Sequence, residues 1–237
     1  MDTLTKEDFL NGQLLLIDKP SGWSSFQAVN KIKWALRKKF HLKKIKVGHA
    51  GTLDPLATGL LLLCTGKFTK KIEELQGQKK EYTGTITLGA TTPSYDLETE
   101  IDTIFSIDHI TWEAILLAAD KFIGEIEQRP PVFSALKKDG KRLYEYAREG
   151  REIKIKKRKV VISEFEIKAM ELPTLEFRVV CSKGTYIRSL AYDFGKALDS
   201  GAYLSGLRRT KIGGYNVNKA VDPVVFSEKL LGKHSAH

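Results

Sequence analysis

One twelve-residue stretch constrains this chain more than any other: Gly48-His49-Ala50-Gly51-Thr52-Leu53-Asp54-Pro55-Leu56-Ala57-Thr58-Gly59. Its three glycines and one proline commit the backbone to tight or left-handed bends. A basic run ending at Lys46 leads into it, and an apolar run, Leu60 to Leu63, leads out. The leucines call for a core element and the lysines for solvent, so the loop turns between the two. It carries one carboxylate, Asp54. That group can cap a turn, as aspartate commonly does, or act as a base, nucleophile or metal ligand. Spacing alone leaves both open.

The elements around the loop mix strand and helix. Leu14-Leu15-Leu16-Ile17 is predicted as a short buried strand, closed by Asp18-Lys19-Pro20-Ser21-Gly22. A helix follows, because Ser24 and Gln27 have capping-box spacing and Phe26, Val29, Ile32, Leu36 and Phe40 recur at helical intervals. Tyr82 to Leu88 alternates, with Tyr82, Gly84, Ile86 and Leu88 on one face and threonines on the other. A threonine-rich turn then leads to Asp96. Thr111 to Ile123 is predicted helical, with Ala114, Leu117, Ala118 and Phe122 on one side. Residues 129–158 form a polar, basic excursion with a short helix over Arg142 to Glu149. Glu164 to Ala169 and Glu176 to Cys181 have strand patterns. Ile187, Leu190, Ala191, Phe194 and Leu198 mark an amphipathic helix, and Tyr203 to Leu207 a strand before Arg208 to Lys211. Without regular βαβ alternation, this order argues an α+β fold with a mixed or mostly antiparallel sheet.

With 237 residues, 42% of them hydrophobic, the chain can bury a substantial core. Its net charge of +10 points to a polyanionic partner such as nucleic acid. Three basic clusters, Arg37 to Lys46, Lys154 to Lys159 and Arg208 to Lys211, could line a phosphate backbone, or could be solvated faces. Cys64 and Cys181 sit in apolar runs outside any CxxC motif, as buried reduced thiols do. The histidines and cysteines lack metal-ligand spacing. With no signal-like N-terminus and no apolar run approaching ~20 residues, a cytoplasmic location is expected.

Other positions carry candidate chemistry beside a plainer role. Tyr82 is a core tyrosine or a ring stacked on a base. Arg188, flanked by the apolar Ile187 and Leu190, is partly buried and needs an anionic partner: a carboxylate such as Asp54, a phosphate, or a surface ion pair. Asp96 is a turn cap or a second functional carboxylate.

Taken together, these segments resemble the TruB family of tRNA pseudouridine synthases. The loop from Gly48 to Gly59 is similar to its signature, and Leu16-Ile17-Asp18-Lys19-Pro20-Ser21-Gly22-Trp23-Ser24-Ser25 to its N-terminal motif. Lys80-Glu81-Tyr82 is similar to the tyrosine motif. Ser134-Ala135-Leu136-Lys137 through Leu143-Tyr144-Glu145-Tyr146-Ala147-Arg148 resembles the RNA-gripping insertion. Cys181-Ser182-Lys183-Gly184-Thr185-Tyr186-Ile187-Arg188 and Leu207-Arg208-Arg209 resemble later motifs, all in family order. The resemblance implies a single pseudouridine-synthase catalytic domain over 1–237, its mostly antiparallel central sheet flanked by helices, with an insertion at about 129–158 and no PUA-type domain. It implies isomerisation of uridine-55 in the tRNA TΨC stem-loop to pseudouridine after base flipping, by a monomer without cofactor or metal. Asp54 matches the catalytic aspartate, with attack at C1′, attack on the ring and a glycal route all open. Tyr82 matches the base-stacking tyrosine, Arg188 the arginine paired to the aspartate, Leu207 a pocket-lining residue and His49 one that holds the flipped RNA. Lys19 and Tyr186 match pocket or loop-supporting positions. Ala50 stands where the family commonly has threonine, and Pro93 and Tyr95 alter the turn before Asp96, which weakens Asp96 as an RNA contact. An RNA chaperone without turnover would need the same fold but not intact catalytic positions, and a glycoside hydrolase would need a second carboxylate that Asp54 lacks in sequence.

Overall fold

A computed structural model describes residues 4–134, 137–138, 140–149 and 155–232. In chain order its elements begin with α1 (Lys6–Asn11), β1 (Leu14–Lys19), α2 (Ser25–Lys39), β2 (Val47–His49), β3 (Thr58–Thr65) and α3 (Ile72–Gly77). Then come β4 (Lys80–Leu88), β5 (Ala90–Thr91), β6 (Thr103–Ile104), α4 (Trp112–Asp120) and β7 (Gly124–Gln128). Two short strands, β8 (Lys137–Lys138) and β9 (Lys141–Arg142), precede α5 (Leu143–Arg148). The chain continues through β10 (Arg158–Glu171), β11 (Thr174–Cys181), α6 (Ile187–Ala197), β12 (Ala202–Ile212), β13 (Tyr215–Asn216) and α7 (Pro223–Leu231). Ala135, Leu136 and Lys154, which belong to the expected RNA-gripping motif and the second basic cluster, lie outside the described residues.

The chain forms two compact units, Met1–Glu81 with Arg208–His237, and Tyr82–Leu207. In the first, β3 pairs antiparallel with β1 and β2, and parallel with β12 through Arg208↔Thr58 and Arg209↔Gly59. The four leucines are completely buried because β3 is central and covered on both faces. Leu61 and Leu63 pack with Ile17, Ile32, Leu36 and Phe226, while Leu60, Leu62 and Cys64 pack with Leu75, Ile212 and Val217. Burial of this kind contributes roughly 2 kcal/mol per leucine. The capping box forms as read, with Gln27 N donating to Ser24 Oγ at 3.2 Å and Ser24 N to Gln27 Oε1 at 2.7 Å. Phe26, however, is 68% exposed: it lies in the first turn, off the Ala28–Val29–Ile32–Ala35–Leu36 stripe that faces the core.

In the second unit β11 pairs antiparallel with β10, and β10 with β7. Phe122, Phe165, Phe177 and Phe194 form an aromatic cluster, mostly edge-on or tilted, at 5.5–6.4 Å between centroids. Helix α4 is rotated from the expected face: it buries Ile115, Ala118 and Ala119 and leaves Leu117 exposed. The apolar run Ala114 to Ala119 offers an apolar residue to every face, so periodicity alone misplaced the stripe. The strand expected at Tyr203 to Leu207 extends through Arg208 to Lys211. The α+β class and the mostly antiparallel sheet with flanking helices hold.

Candidate active site

The loop bearing Asp54 is fixed through its backbone by side chains distant in sequence. From the N-cap turn of α2, Ser25 Oγ accepts from Leu53 N at 2.8 Å and donates to Leu53 O at 3.1 Å. At the end of β1, Lys19 Nζ donates to Pro20 O, Trp23 O and Pro55 O at 2.9, 2.6 and 3.2 Å. From β12, Arg209 donates to Leu60 O, Gly51 O and Thr52 O at 2.8, 3.0 and 3.4 Å. Gly22 N adds a bond to Pro55 O at 2.9 Å. Carbonyls on both sides of Asp54 are therefore held, while Asp54 itself is half-buried.

Two glycines permit this. Gly51 has φ +105°, and its carbonyl meets Arg209. Gly59 has φ +103°, and a Cβ there would lie 2.3 Å from Arg209 O. A side chain would force the loop off β12.

Electrostatics in this unit centre on cations. Burial pushes the Lys19 ammonium down to about 8, partly offset by the nearby Asp54 carboxylate and reinforced by Arg209. His49, on β2, is held below the usual histidine value, first by burial and then by Arg209, so it is neutral at pH 7. No described group meets His49 Nδ1 within hydrogen-bond geometry, and the Gly51 backbone only partly offsets the effect of burial.

The second unit holds the remaining expected residues. Tyr82 is 8% exposed on β4. Leu207, on β12, is half-buried. Arg188 is buried in the first turn of α6; its Nη1 lies 3.4 Å from Asp96 Oδ2 and donates to Ser94 O at 3.3 Å. Tyr186 caps α6 and is fixed by Gln128, whose amide accepts from Tyr186 N at 2.7 Å and donates to Tyr186 O at 3.0 Å. The Arg158 guanidinium lies 4.4 Å from the Tyr186 ring centroid.

Asp96 caps its turn as one sequence reading had it, and it is also buried and paired with Arg188. In its turn the Thr92 and Ser94 hydroxyls donate to Asp96 O, Glu98 N donates to Asp96 Oδ1, and Leu204 N donates to Tyr95 O at 2.9 Å. Tyr95, at φ +63°, stacks on Tyr192 at 4.0 Å. The cluster from Arg208 to Lys211 is not a free phosphate-binding stripe. Arg209 is 1% exposed, Arg208 pairs with Asp18 at 2.7 Å, and Lys211 with Glu81 at 3.1 Å. Arg209 points inward where β12 pairs with Gly59 of β3, a pairing that its own neighbours in sequence do not announce. Among the described residues no cluster of three or more His, Cys, Asp or Glu could hold a metal, and no helix is long and apolar enough to cross a membrane. Both cysteines are buried as thiols.

Comparison with known proteins gives this arrangement a class. Residues 37–187 match the family described as TruB family pseudouridylate synthase, N-terminal domain. A protein of Flavobacterium johnsoniae called tRNA pseudouridine synthase B is 66% identical over 228 residues, covering 96% of this chain and 100% of that one. One of the same name from Phocaeicola vulgatus is 53% identical, over 94% of this chain and 95% of that one. Among solved structures, a Cbf5-Nop10-Gar1 complex matches with TM-score 0.68 at 29% identity, over 93% of this chain and 54% of that one. An H/ACA RNP bound to a substrate RNA containing 2′-deoxyuridine matches with TM-score 0.63 at 27% identity, over 91% of this chain and 52% of that one. This chain thus spans about half the length of those two. The fold and loop are those of a pseudouridylate synthase, an isomerase. Within that class, the chain belongs to the TruB family.

Proposed function

We propose that this protein converts uridine-55 in the TΨC stem-loop of tRNA to pseudouridine. The observation that carries the proposal is the pinned loop, which presents a half-buried Asp54 from a backbone held by Lys19, Ser25 and Arg209. Relatives named tRNA pseudouridine synthase B, similar over nearly the whole chain, support tRNA as the substrate.

In this reading the target base leaves its stack and meets Asp54. The bond from C1′ to N1 breaks, a bond from C1′ to C5 forms, the C5 proton is lost and N1 gains one. Atoms balance without an oxidant, reductant or cofactor. Asp54 assists the transfer at the sugar or the ring. Tyr82 stacks on the base and Leu207 lines its pocket. Arg188 keeps Asp54 ionised beside RNA phosphates. A neutral His49 holds the flipped strand, and Lys19 and Tyr186 support the loop and the start of α6. Residues 129–158 grip the RNA from a single catalytic domain, and the enzyme works as a cytoplasmic monomer.

Incubation with unmodified tRNA, followed by chemical mapping of pseudouridine, tests the proposal. Modification confined to position 55 is expected. Binding of tRNA without isomerisation would overturn it.

A further inference from the structure

The outer face of α2 carries a feature the loop chemistry leaves unused. From Lys19 to Leu53 the chain has no aspartate or glutamate, and Lys19, Lys31, Lys33, Arg37, Lys38, Lys39, Lys43, Lys44 and Lys46 supply nine positive charges. Against a net charge of +10 for the whole chain, this stretch concentrates nearly all of the imbalance. Apart from Lys19, these side chains are exposed or half-exposed. The helical period explains why. With Ala28, Val29, Ile32, Ala35 and Leu36 turned into the core, Asn30, Lys33, Trp34, Arg37 and Lys38 recur at three- and four-residue spacing on the other side.

With Lys43 these residues line an open groove of about 830 Å³, and no carboxylate lines it. Trp34 stands in it 49% exposed, with Lys38 Nζ at 5.0 Å and Lys31 Nζ at 5.6 Å from its ring centroid. Leu42 and His41 complete the lining, and a large aromatic surface left half-exposed among cations suits a ligand that brings both phosphates and flat rings. An acidic polypeptide or an anionic membrane would match the charge but would not offer bases to the indole.

We propose that this groove is a second RNA-binding surface, outside the reacting nucleotide, on which Lys33, Arg37 and Lys38 hold tRNA phosphates while Trp34 stacks on a base. The proposal rests on tRNA being the substrate. Helix α2 starts at the Asp54 loop through the Ser25–Leu53 bonds. Trp34 lies nine residues farther along it, roughly 14 Å at 1.5 Å per residue. The groove therefore meets nucleotides other than the one offered to Asp54.

The test measures binding of unmodified tRNA over a salt series, and steady-state turnover, for Trp34→Ala, Trp34→Phe and the triple variant Lys33→Ala/Arg37→Ala/Lys38→Ala. The triple variant should bind about 10-fold more weakly near physiological salt, with a log–log salt slope smaller by about 2. Trp34→Ala should raise KM about 5-fold with kcat within about 2-fold of wild type, and Trp34→Phe should keep most of the affinity. Unchanged affinity and salt slope in the triple variant would overturn the proposal. So would loss of binding to anionic-lipid vesicles or to polyglutamate with tRNA affinity intact. If wild type binds tRNA with this salt and Trp34 dependence yet forms no pseudouridine, the groove stands and the catalytic reading fails.

Discussion

The loop around Asp54 and the turn around Asp96 look alike in sequence, each a short threonine- and proline-containing bend with one aspartate, yet their surroundings differ. The Asp54 loop is bound by its backbone: Ser25, Lys19 and Arg209 reach in from three other elements to its amide and carbonyl groups. Its carboxylate remains half-buried. The Asp96 turn is tied by its own Thr92, Ser94 and Glu98 as well as by Leu204 N and Arg188, which donate to Tyr95 O and Ser94 O, and its carboxylate is buried against Arg188. One bend presents its acid; the other uses its acid to hold a cation in place. The external clamp makes the loop rigid through its backbone, which is what preorganised chemistry requires.

The largest effect that would break this contrast is loss of the clamp. Arg209→Lys cannot serve Gly51, Thr52 and Leu60 carbonyls from one planar group. It should cost about 3 kcal/mol of stability and lower kcat about 100-fold through misplacement of Asp54, with tRNA affinity largely kept. Denaturant unfolding beside single-turnover kinetics checks both, and a wild-type rate would show that the loop holds its shape without Arg209.

Lys19 gives the clamp a pH signature. Its folded pKa, about 8, lies below the ordinary lysine value of 10.5. The unfolded chain therefore binds more protons between these values, and stability from this group rises as pH rises from about 8 to 10.5. The gain is up to about 3 kcal/mol, and it should vanish in Lys19→Met. Unfolding curves of both proteins across that window measure it; a difference that falls with pH would reverse the assignment.

A smaller effect sharpens the other side of the comparison. Asp96→Asn keeps the turn's shape but weakens the hold on Arg188, at about 2 kcal/mol. Here thermal stability should fall more than the same change at half-buried Asp54 would lower it. Equal losses at the two sites would mean that the two carboxylates are held alike.

What was legible in the sequence follows the same division. Local spacing encoded the Ser24–Gln27 capping box, the alternation of Tyr82 to Leu88 and the start of α6, because caps and periods are properties of neighbouring residues. The leucine run was legible as core, though not as a strand packed on both faces. Arg209 was misjudged because lysines and arginines around it suggest surface, and only β12 pairing against Gly59 shows that it points inward. The Asp96–Arg188 pair was not legible for a related reason: the two partners lie far apart along the chain, and no local pattern announces the pair. The face of α4 was misassigned where alanines made both sides equally plausible.

Whether the loop serves to present Asp54 to RNA is tested most directly by a paired measurement on Asp54→Asn. Dissociation constants for unmodified tRNA and the rate of pseudouridine formation at uridine-55 are measured on the same preparation. Affinity within about 3-fold of wild type and no detectable pseudouridine are expected. Turnover near the wild-type rate in Asp54→Asn would contradict that role for the loop.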